Sequence, residues 1–135
     1  MSDSAGGLAN RIVLVTGATR GLGQAIALAL VDAGAHVLAL GRTRGALEAL
    51  DDQAGRRAGS VTLVPFDLAK PEKVPELARS IYQRFGALHG LVGNAAMLGT
   101  IGPLAHQGFD DWARVIRVNL LANIALLQAF DPPLR

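Results

Sequence analysis

The sequence contains no cysteine among its 135 residues, only two lysines and only 4% aromatic residues. Without cysteine, the chain has no disulfide framework, no thiolate zinc site and no redox dithiol. This composition fits a reducing compartment, and we expect a cytoplasmic protein. Half of the residues are hydrophobic, a fraction too high for an intrinsically disordered chain.

Charge runs and long apolar runs are also missing. The net charge is only +2, and the 13 basic residues are scattered rather than clustered, which argues against a nucleic-acid interface. The longest uninterrupted apolar run, residues 25–31, is far shorter than the ~20 residues of a membrane span. The start of the chain lacks the features of a signal peptide, and we expect residues 1–7 to form a flexible tail. No metal site is predicted, because the three histidines lack metal-ligand spacing: His36, His89 and His106.

Short apolar segments alternate with longer segments rich in helix formers. Strands are predicted at residues 11–16, 36–40, 60–64 and 88–92. Helices are predicted to begin near Gly21, after Thr43, near Pro71 and at Asp110. The first three should end at Gly34, near Arg57 and at Gly86, and the last near Phe130 because two prolines follow. This order at ~25–30 residue intervals is typical of one α/β domain over residues 8–135, with a parallel sheet and helices on both faces.

A glycine-rich loop, Thr16–Gly23, joins the first predicted strand to the first predicted helix. Gly17 permits a sharp turn after the strand. Gly21 and Gly23 allow a pyrophosphate to approach the backbone N–H groups at the helix N-terminus. The flanking strand and helix are the context that a dinucleotide-binding loop requires. An ordinary tight turn with incidental glycines is the alternative.

The end of the second predicted strand carries no acidic residue. A carboxylate there would accept the 2′-hydroxyl of the adenosine ribose and select NAD. Gly41 stands at that place, Arg42 follows it, and Arg20 lies in the glycine loop. Two guanidinium groups suit a 2′-phosphate, so the sequence favours NADP over NAD. A solvated loop arginine is the alternative interpretation of Arg42.

Four segments together resemble the short-chain dehydrogenase/reductase family. They are the loop Thr16–Gly23, Asp67-Leu68, the segment Gly93-Asn94-Ala95-Ala96, and Val118-Asn119-Leu120. The resemblance extends from Leu8 to the end of the chain and implies a Rossmann-like, doubly wound, three-layer sheet of order 3-2-1-4. It also implies that Asn119 belongs to the catalytic tetrad. The implied cofactor-binding residues are Gly17, Thr19, Arg20, Gly21, Leu22, Gly23, Arg42, Asp67, Leu68, Asn94, Ala95 and Ala96.

The third of these segments departs from the family pattern. Gly93 and Ala96 stand where the family has Asn and Gly, so the hydrogen-bonding role passes to Asn94 alone. Simpler alternatives exist for three of the residues: Asn94 as a turn residue, Asp67 as a cap or turn residue, and Asn119 as a satisfied interior amide.

The catalytic pair that the resemblance requires is missing. Family members use a tyrosine as general acid/base and a lysine four residues later, with a preceding serine. The only tyrosine is Tyr82, residue 86 is glycine, and the lysines are Lys70 and Lys73. Since family members are about twice this length, we expect the chain to be the cofactor-binding half, truncated before a fifth strand and inactive alone.

The expected parent function is NADP(H)-dependent hydride transfer on a small-molecule carbonyl or alcohol. The alternatives are a non-catalytic NAD(P)-binding module and an inactive truncated remnant. Without a fifth strand, the strand 88–92 would be an open edge and the last helix would expose an apolar stripe. We therefore expect a homo-oligomer or aggregate.

Overall fold

The computed structural model describes residues 7–135, which form two compact units. Within the described residues, the first unit comprises residues 7–67 and 87–94 together with Leu134. The second unit comprises Leu68–Gly86, Ala95–Pro133 and Arg135. The predicted flexible tail lies outside the described residues apart from Gly7.

The first unit is built on a four-stranded parallel sheet with the order β3-β2-β1-β4. The strands are β1 Ile12–Thr16, β2 His36–Gly41, β3 Ser60–Pro65 and β4 Gly90–Val92. The predicted strand order 3-2-1-4 is thus confirmed. β4 is shorter than the predicted strand 88–92, because only Gly90–Val92 of that segment pair with Val13–Val15 of β1.

Two helices of the first unit pack on one face of this sheet, α1 Gly21–Asp32 and α2 Arg44–Ala54. Alternate residues of a strand point to opposite faces. One set meets the helices in a single apolar core formed by Val13, Val15, Val37, Ala39, Ala27, Val31, Leu47, Leu50 and Ala54. The other set, Leu14, Leu38 and Leu40, is also buried. Burial on both faces explains why these strands read as continuous apolar runs.

A glycine lies directly after or close after the C-terminus of each of these helices. α1 ends before Gly34, whose φ of +98° is the left-handed geometry of a residue that follows a helix. α2 begins after Thr43 as predicted, although the Thr43 side chain makes no capping hydrogen bond within residues 7–135. α2 ends at Ala54, three residues earlier than predicted, because Gly55 takes a φ of +37° and leaves the helical conformation.

The second unit is helical. A 3₁₀ turn, Pro71–Lys73, leads into α3, Val74–Phe85, which ends at the left-handed Gly86 as predicted. Another 3₁₀ turn, Leu104–His106, precedes α4, Phe109–Ile116. A π-helical turn, Arg117–Leu121, connects α4 to α5, Ala122–Leu134.

The helical stretch formed by α4, the π-helical turn and α5 differs from the predicted helix at both ends. It begins one residue before Asp110, which lies in its first turn, and it continues through Pro132 and Pro133 to Leu134. Proline has a φ compatible with a helix, and its cost lies in lost backbone bonds to the preceding turn. Since the helix ends at Leu134, that cost falls only on its final turn.

The stretch Phe109–Leu134 is 26 residues long and contains an 18-residue window with a mean hydropathy of 1.3, so by length and composition it could span a membrane. Its charges argue against that role. The uncharged segment between Arg117 and Asp131 covers only 13 residues, and a span needs ~20.

The core predicts a sharp contrast between two leucines. Leu38, on the strand between β1 and β3, is 0% exposed, whereas Leu98, in a loop, is 79% exposed. We expect Leu38→Ala to lower the free energy of unfolding by about 2–5 kcal/mol, because it removes buried methyl groups and leaves a cavity. Leu98→Ala is the matched control and should change it by less than about 0.5 kcal/mol. Urea titrations of both variants would measure this; equal effects would contradict the assigned core.

Candidate functional site

The end of β1 is joined to the loop that follows β4 by the side chain of Asn94. Its Nδ2 group donates to the carbonyl oxygens of Thr16, at 3.2 Å, and Gly17, at 3.1 Å. The backbone N–H of Asn94 donates to Thr16 Oγ1 at 3.0 Å, and that hydroxyl donates to the carbonyl of Val92 at 3.4 Å. Asn94 therefore fixes the first residues of the glycine loop, which is more than the turn-residue alternative requires.

At Gly23 the glycine loop packs closely against Gly17 and the Asn94 side chain. A Cβ atom at Gly23 would lie 2.0 Å from the Gly17 carbonyl oxygen and 2.4 Å from Asn94 Nδ2, so only glycine fits. Gly21 is needed for a different reason. Its φ of +56° is a left-handed conformation that L side chains rarely adopt, while a Cβ there would meet nothing within 4 Å. The loop is thus tightly packed at Gly23 and open at Gly21.

The N-terminus of α1 is open to an anion. Arg20 occupies the N-cap position, and its side chain makes no capping hydrogen bond within residues 7–135. The first turn carries no acidic residue, and Leu22 in that turn is exposed. The first N–H groups of a helix lack intrahelical partners and carry a partial positive charge. These features fit the phosphates of a dinucleotide, which Gly21 and Leu22 would approach through backbone N–H groups.

The glycine loop also contacts the end of β2. A Cβ atom at Gly41 would lie 2.9 Å from Thr19 Cγ2, so the two segments are packed as closely as glycine allows. Arg20 and Arg42 each follow one residue after this contact, and both are exposed. Among residues 7–135 neither guanidinium forms an ion pair. The structure therefore brings two un-neutralised cations to the same edge of the sheet.

Asp67 lies at this edge as well. It follows β3 by two residues, and the N–H of Phe66 donates to the carbonyl oxygen of Gly41 at 2.9 Å. Asp67 is half-buried. The first unit thus gathers most of the predicted cofactor-binding residues at the carboxyl ends of its strands: Gly17, Thr19, Arg20, Gly21, Leu22, Gly23, Arg42, Asp67 and Asn94.

The remaining candidates belong to the second unit: Leu68, Ala95, Ala96 and Asn119. Asn119, in the π-helical turn, clamps the backbone of Met97. Its Oδ1 atom accepts from the Met97 N–H at 2.8 Å, and its Nδ2 group donates to the Met97 carbonyl at 2.9 Å. Leu68 is buried, while Ala95 is half-buried and Ala96 exposed. The Asn119 amide is satisfied by backbone, and it holds the loop directly after Ala96.

Three residues with a structural part in this arrangement were not among the predicted site residues. Thr16, 0% exposed, accepts a hydrogen bond from the Asn94 N–H. Gly41 packs closely against the Thr19 side chain, and the Met97 backbone is hydrogen-bonded to Asn119. A polar residue ending an otherwise apolar strand was the available signal for Thr16. No local pattern marks Met97, because only its backbone is used.

Comparisons with known proteins agree with this geometry. The family model for short chain dehydrogenases matches residues 11–135. The short chain dehydrogenase/reductase dpchG of Colletotrichum higginsianum is 37% identical over 120 residues, which are 89% of this chain and 45% of that protein. An uncharacterised oxidoreductase of Staphylococcus aureus (strain MRSA252) is 34% identical over 125 residues, 93% of this chain and 53% of that protein. The chain spans about half the length of the curated relatives it matches.

Solved structures show the same relationship. A metagenomic short-chain oxidoreductase in complex with NADP superposes with a TM-score of 0.89 at 32% identity, covering 93% of this chain and 57% of that one. An NAD⁺-bound xylitol dehydrogenase superposes with a TM-score of 0.84 at 28% identity, covering 93% and 48%. The predicted Rossmann-like α/β fold is confirmed, and the chain belongs to the short-chain dehydrogenase/reductase family.

Proposed function

We propose that this chain binds NADP(H) and supplies the cofactor-binding half of an oxidoreductase that interconverts a small carbonyl compound and an alcohol. The observation that carries the proposal is the site around α1, where Gly17, Gly23 and Asn94 shape an open helix N-terminus. When bound, the nicotinamide supplies or accepts the hydride. The residues of this chain bind and orient the cofactor. The N-terminus of α1 binds its phosphates, and the edge of the sheet binds its adenosine.

The choice of NADP over NAD rests on Arg20 and Arg42. Both are exposed at the sheet edge where β2 ends, and the glycine at position 41 offers no carboxylate to a ribose 2′-hydroxyl. A guanidinium pairs two parallel N–H groups with phosphate oxygens, which suits a 2′-phosphate. Support also comes from the NADP complex of a relative, although the xylitol dehydrogenase binds NAD⁺.

Catalysis by this chain alone is not part of the proposal. Its sequence has no tyrosine followed four residues later by lysine, the pair expected to move the proton at the substrate oxygen. A nucleotide-binding module without catalysis is the second candidate function, and the same observation favours it. Both candidates predict no turnover by this chain alone. Oxidation of NADPH with a panel of ketones and aldehydes, by a longer polypeptide that combines this chain with a tyrosine–lysine segment, separates them, because turnover would exclude a purely binding role.

The exposed Arg42 predicts a loss of affinity that affects NADPH and not NADH. We expect Arg42→Ala to weaken NADPH binding about 10- to 100-fold, the effect of removing a charge-assisted hydrogen bond to a phosphate, and to leave NADH binding unchanged. Isothermal titration calorimetry with both cofactors measures it. Arg44→Ala, an exposed arginine in the first turn of α2, is the matched control and should leave both affinities unchanged. Tighter binding of NADH than NADPH by the unmodified chain would refute the NADP assignment.

The close packing at Gly23 predicts that a larger residue there abolishes cofactor binding. We expect Gly23→Ala to abolish binding of both cofactors and to lower the free energy of unfolding by about 1–3 kcal/mol, because its Cβ would overlap the Gly17 carbonyl. Gly45→Ala is the control: a Cβ at this position of α2 meets nothing within 4 Å, and the change should stabilise the helix by about 0.5–1 kcal/mol. Retained NADPH binding by Gly23→Ala would contradict the proposed loop geometry.

We also propose that the chain associates with itself. In the second unit an apolar surface around α4 is exposed, with Phe109 86% exposed; it comprises Leu104, Phe109, Trp112, Ile116 and Leu121. Contiguous exposed apolar patches are typical of interaction sites.

Sedimentation velocity tests this association. We expect species larger than a monomer whose proportion rises with concentration, and Ile116→Glu should shift them towards monomer by charging the surface. Ala49→Glu, at an exposed position of α2, should have no effect. A monodisperse monomer at all concentrations would show that the proposal is wrong.

A further inference from the structure

The π-helical turn Arg117–Leu121 changes the backbone pairing at the centre of the long helix. In an α-helix the N–H of each residue bonds to the carbonyl four residues earlier. Here the N–H of Ala122 bonds instead to the carbonyl of Arg117, five residues earlier. Turns of this kind are frequent at functional sites. Asn119 lies in the middle of this turn, and from there its side chain clamps both backbone groups of Met97.

A second asparagine reaches this turn from the first residues of α5. The Nδ2 group of Asn123 donates to the backbone carbonyl of Asn119 at 2.9 Å. Asn123 is half-buried, and it is four residues after its partner, so the bond lies within one turn of helix. Asparagine is a weaker helix former than alanine or leucine, so helix propensity does not explain its presence here.

We propose that Asn123 is a positioning residue that fixes the Asn119 clamp on Met97. Three hydrogen bonds form a chain: Asn123 holds the Asn119 carbonyl, and the Asn119 side chain holds the N–H and the carbonyl of Met97. Rotation of the Asn119 backbone would move its amide away from Met97. By holding that backbone, Asn123 fixes the loop that begins with Ala95 and Ala96. The importance of this loop for the reaction rests on the proposed function, but the hydrogen-bond coupling does not.

Amide hydrogen exchange at Met97, followed by NMR on the full chain without cofactor, tests the coupling. We expect Asn123→Ala to accelerate exchange of the Met97 N–H about fivefold, the effect of losing one hydrogen bond of ordinary strength. Asn123→Ser should restore the slow rate, because a serine hydroxyl can donate to the carbonyl four residues earlier. A role in helix propensity alone predicts the opposite order, since alanine is the better helix former.

A double-mutant cycle makes the test sharper. Asn119→Ala removes the acceptor of the Met97 N–H and should accelerate its exchange strongly. Adding Asn123→Ala to it should then change nothing further, because the two residues act in series. The Gln107 N–H, which bonds to the Leu104 carbonyl in the same unit, is the internal control and should be unaffected throughout.

Three results would overturn the inference: an unchanged Met97 rate in Asn123→Ala, a serine variant that behaves like alanine, or equal acceleration of Met97 and Gln107. The last would assign Asn123 a general stabilising role. Because no cofactor is present, a failure of NADPH binding in calorimetry would refute the proposed function and leave this coupling intact.

Discussion

Three hydrogen bonds of Asn94 connect the end of β1, the glycine loop and the end of β4, and the candidate site depends on them. The Asn94 side chain holds the carbonyls of Thr16 and Gly17, and its backbone holds the Thr16 hydroxyl. The Gly17 carbonyl oxygen in turn lies only 2.0 Å from the position of a Cβ atom at Gly23. The position of the α1 N-terminus relative to the sheet is thereby fixed by contacts that tolerate no extra atom. A loop so constrained presents its N–H groups in one arrangement, which is what recognition of a phosphate requires.

The electrostatics of the first unit add to this geometry. The N-terminus of α1 carries a partial positive charge without an acidic residue in its first turn, and Arg20 and Arg42 are exposed where the loop meets β2. The helix N-terminus and the two arginines are all positively charged, and they lie at the carboxyl ends of parallel strands, where open α/β sheets bind their ligands. All three favour a negatively charged ligand at this edge of the sheet.

Much of this was accessible from the sequence, because it depends on local patterns. The four strands, the order of the elements and the glycine loop follow from apolar runs and from glycine spacing. Gly34 and Gly86 end their helices as predicted, since a left-handed residue after a helix is a local requirement. The prediction was wrong at Pro132 and Pro133, where a proline in the final turn costs too little to end the helix sooner.

The sequence by itself determined the parallel sheet, the glycine-rich loop between β1 and α1 and the pair of arginines, because strand burial and loop conformation are encoded in neighbouring residues. Only the tertiary structure decided the partners of Asn94, the contact of Thr19 with Gly41, and the π-helical turn with its clamp on Met97. The physical reason is that these contacts join residues far apart in the chain or use backbone groups. Every residue except proline carries the same backbone donor and acceptor, so no side-chain pattern reveals which of these groups will form a hydrogen bond.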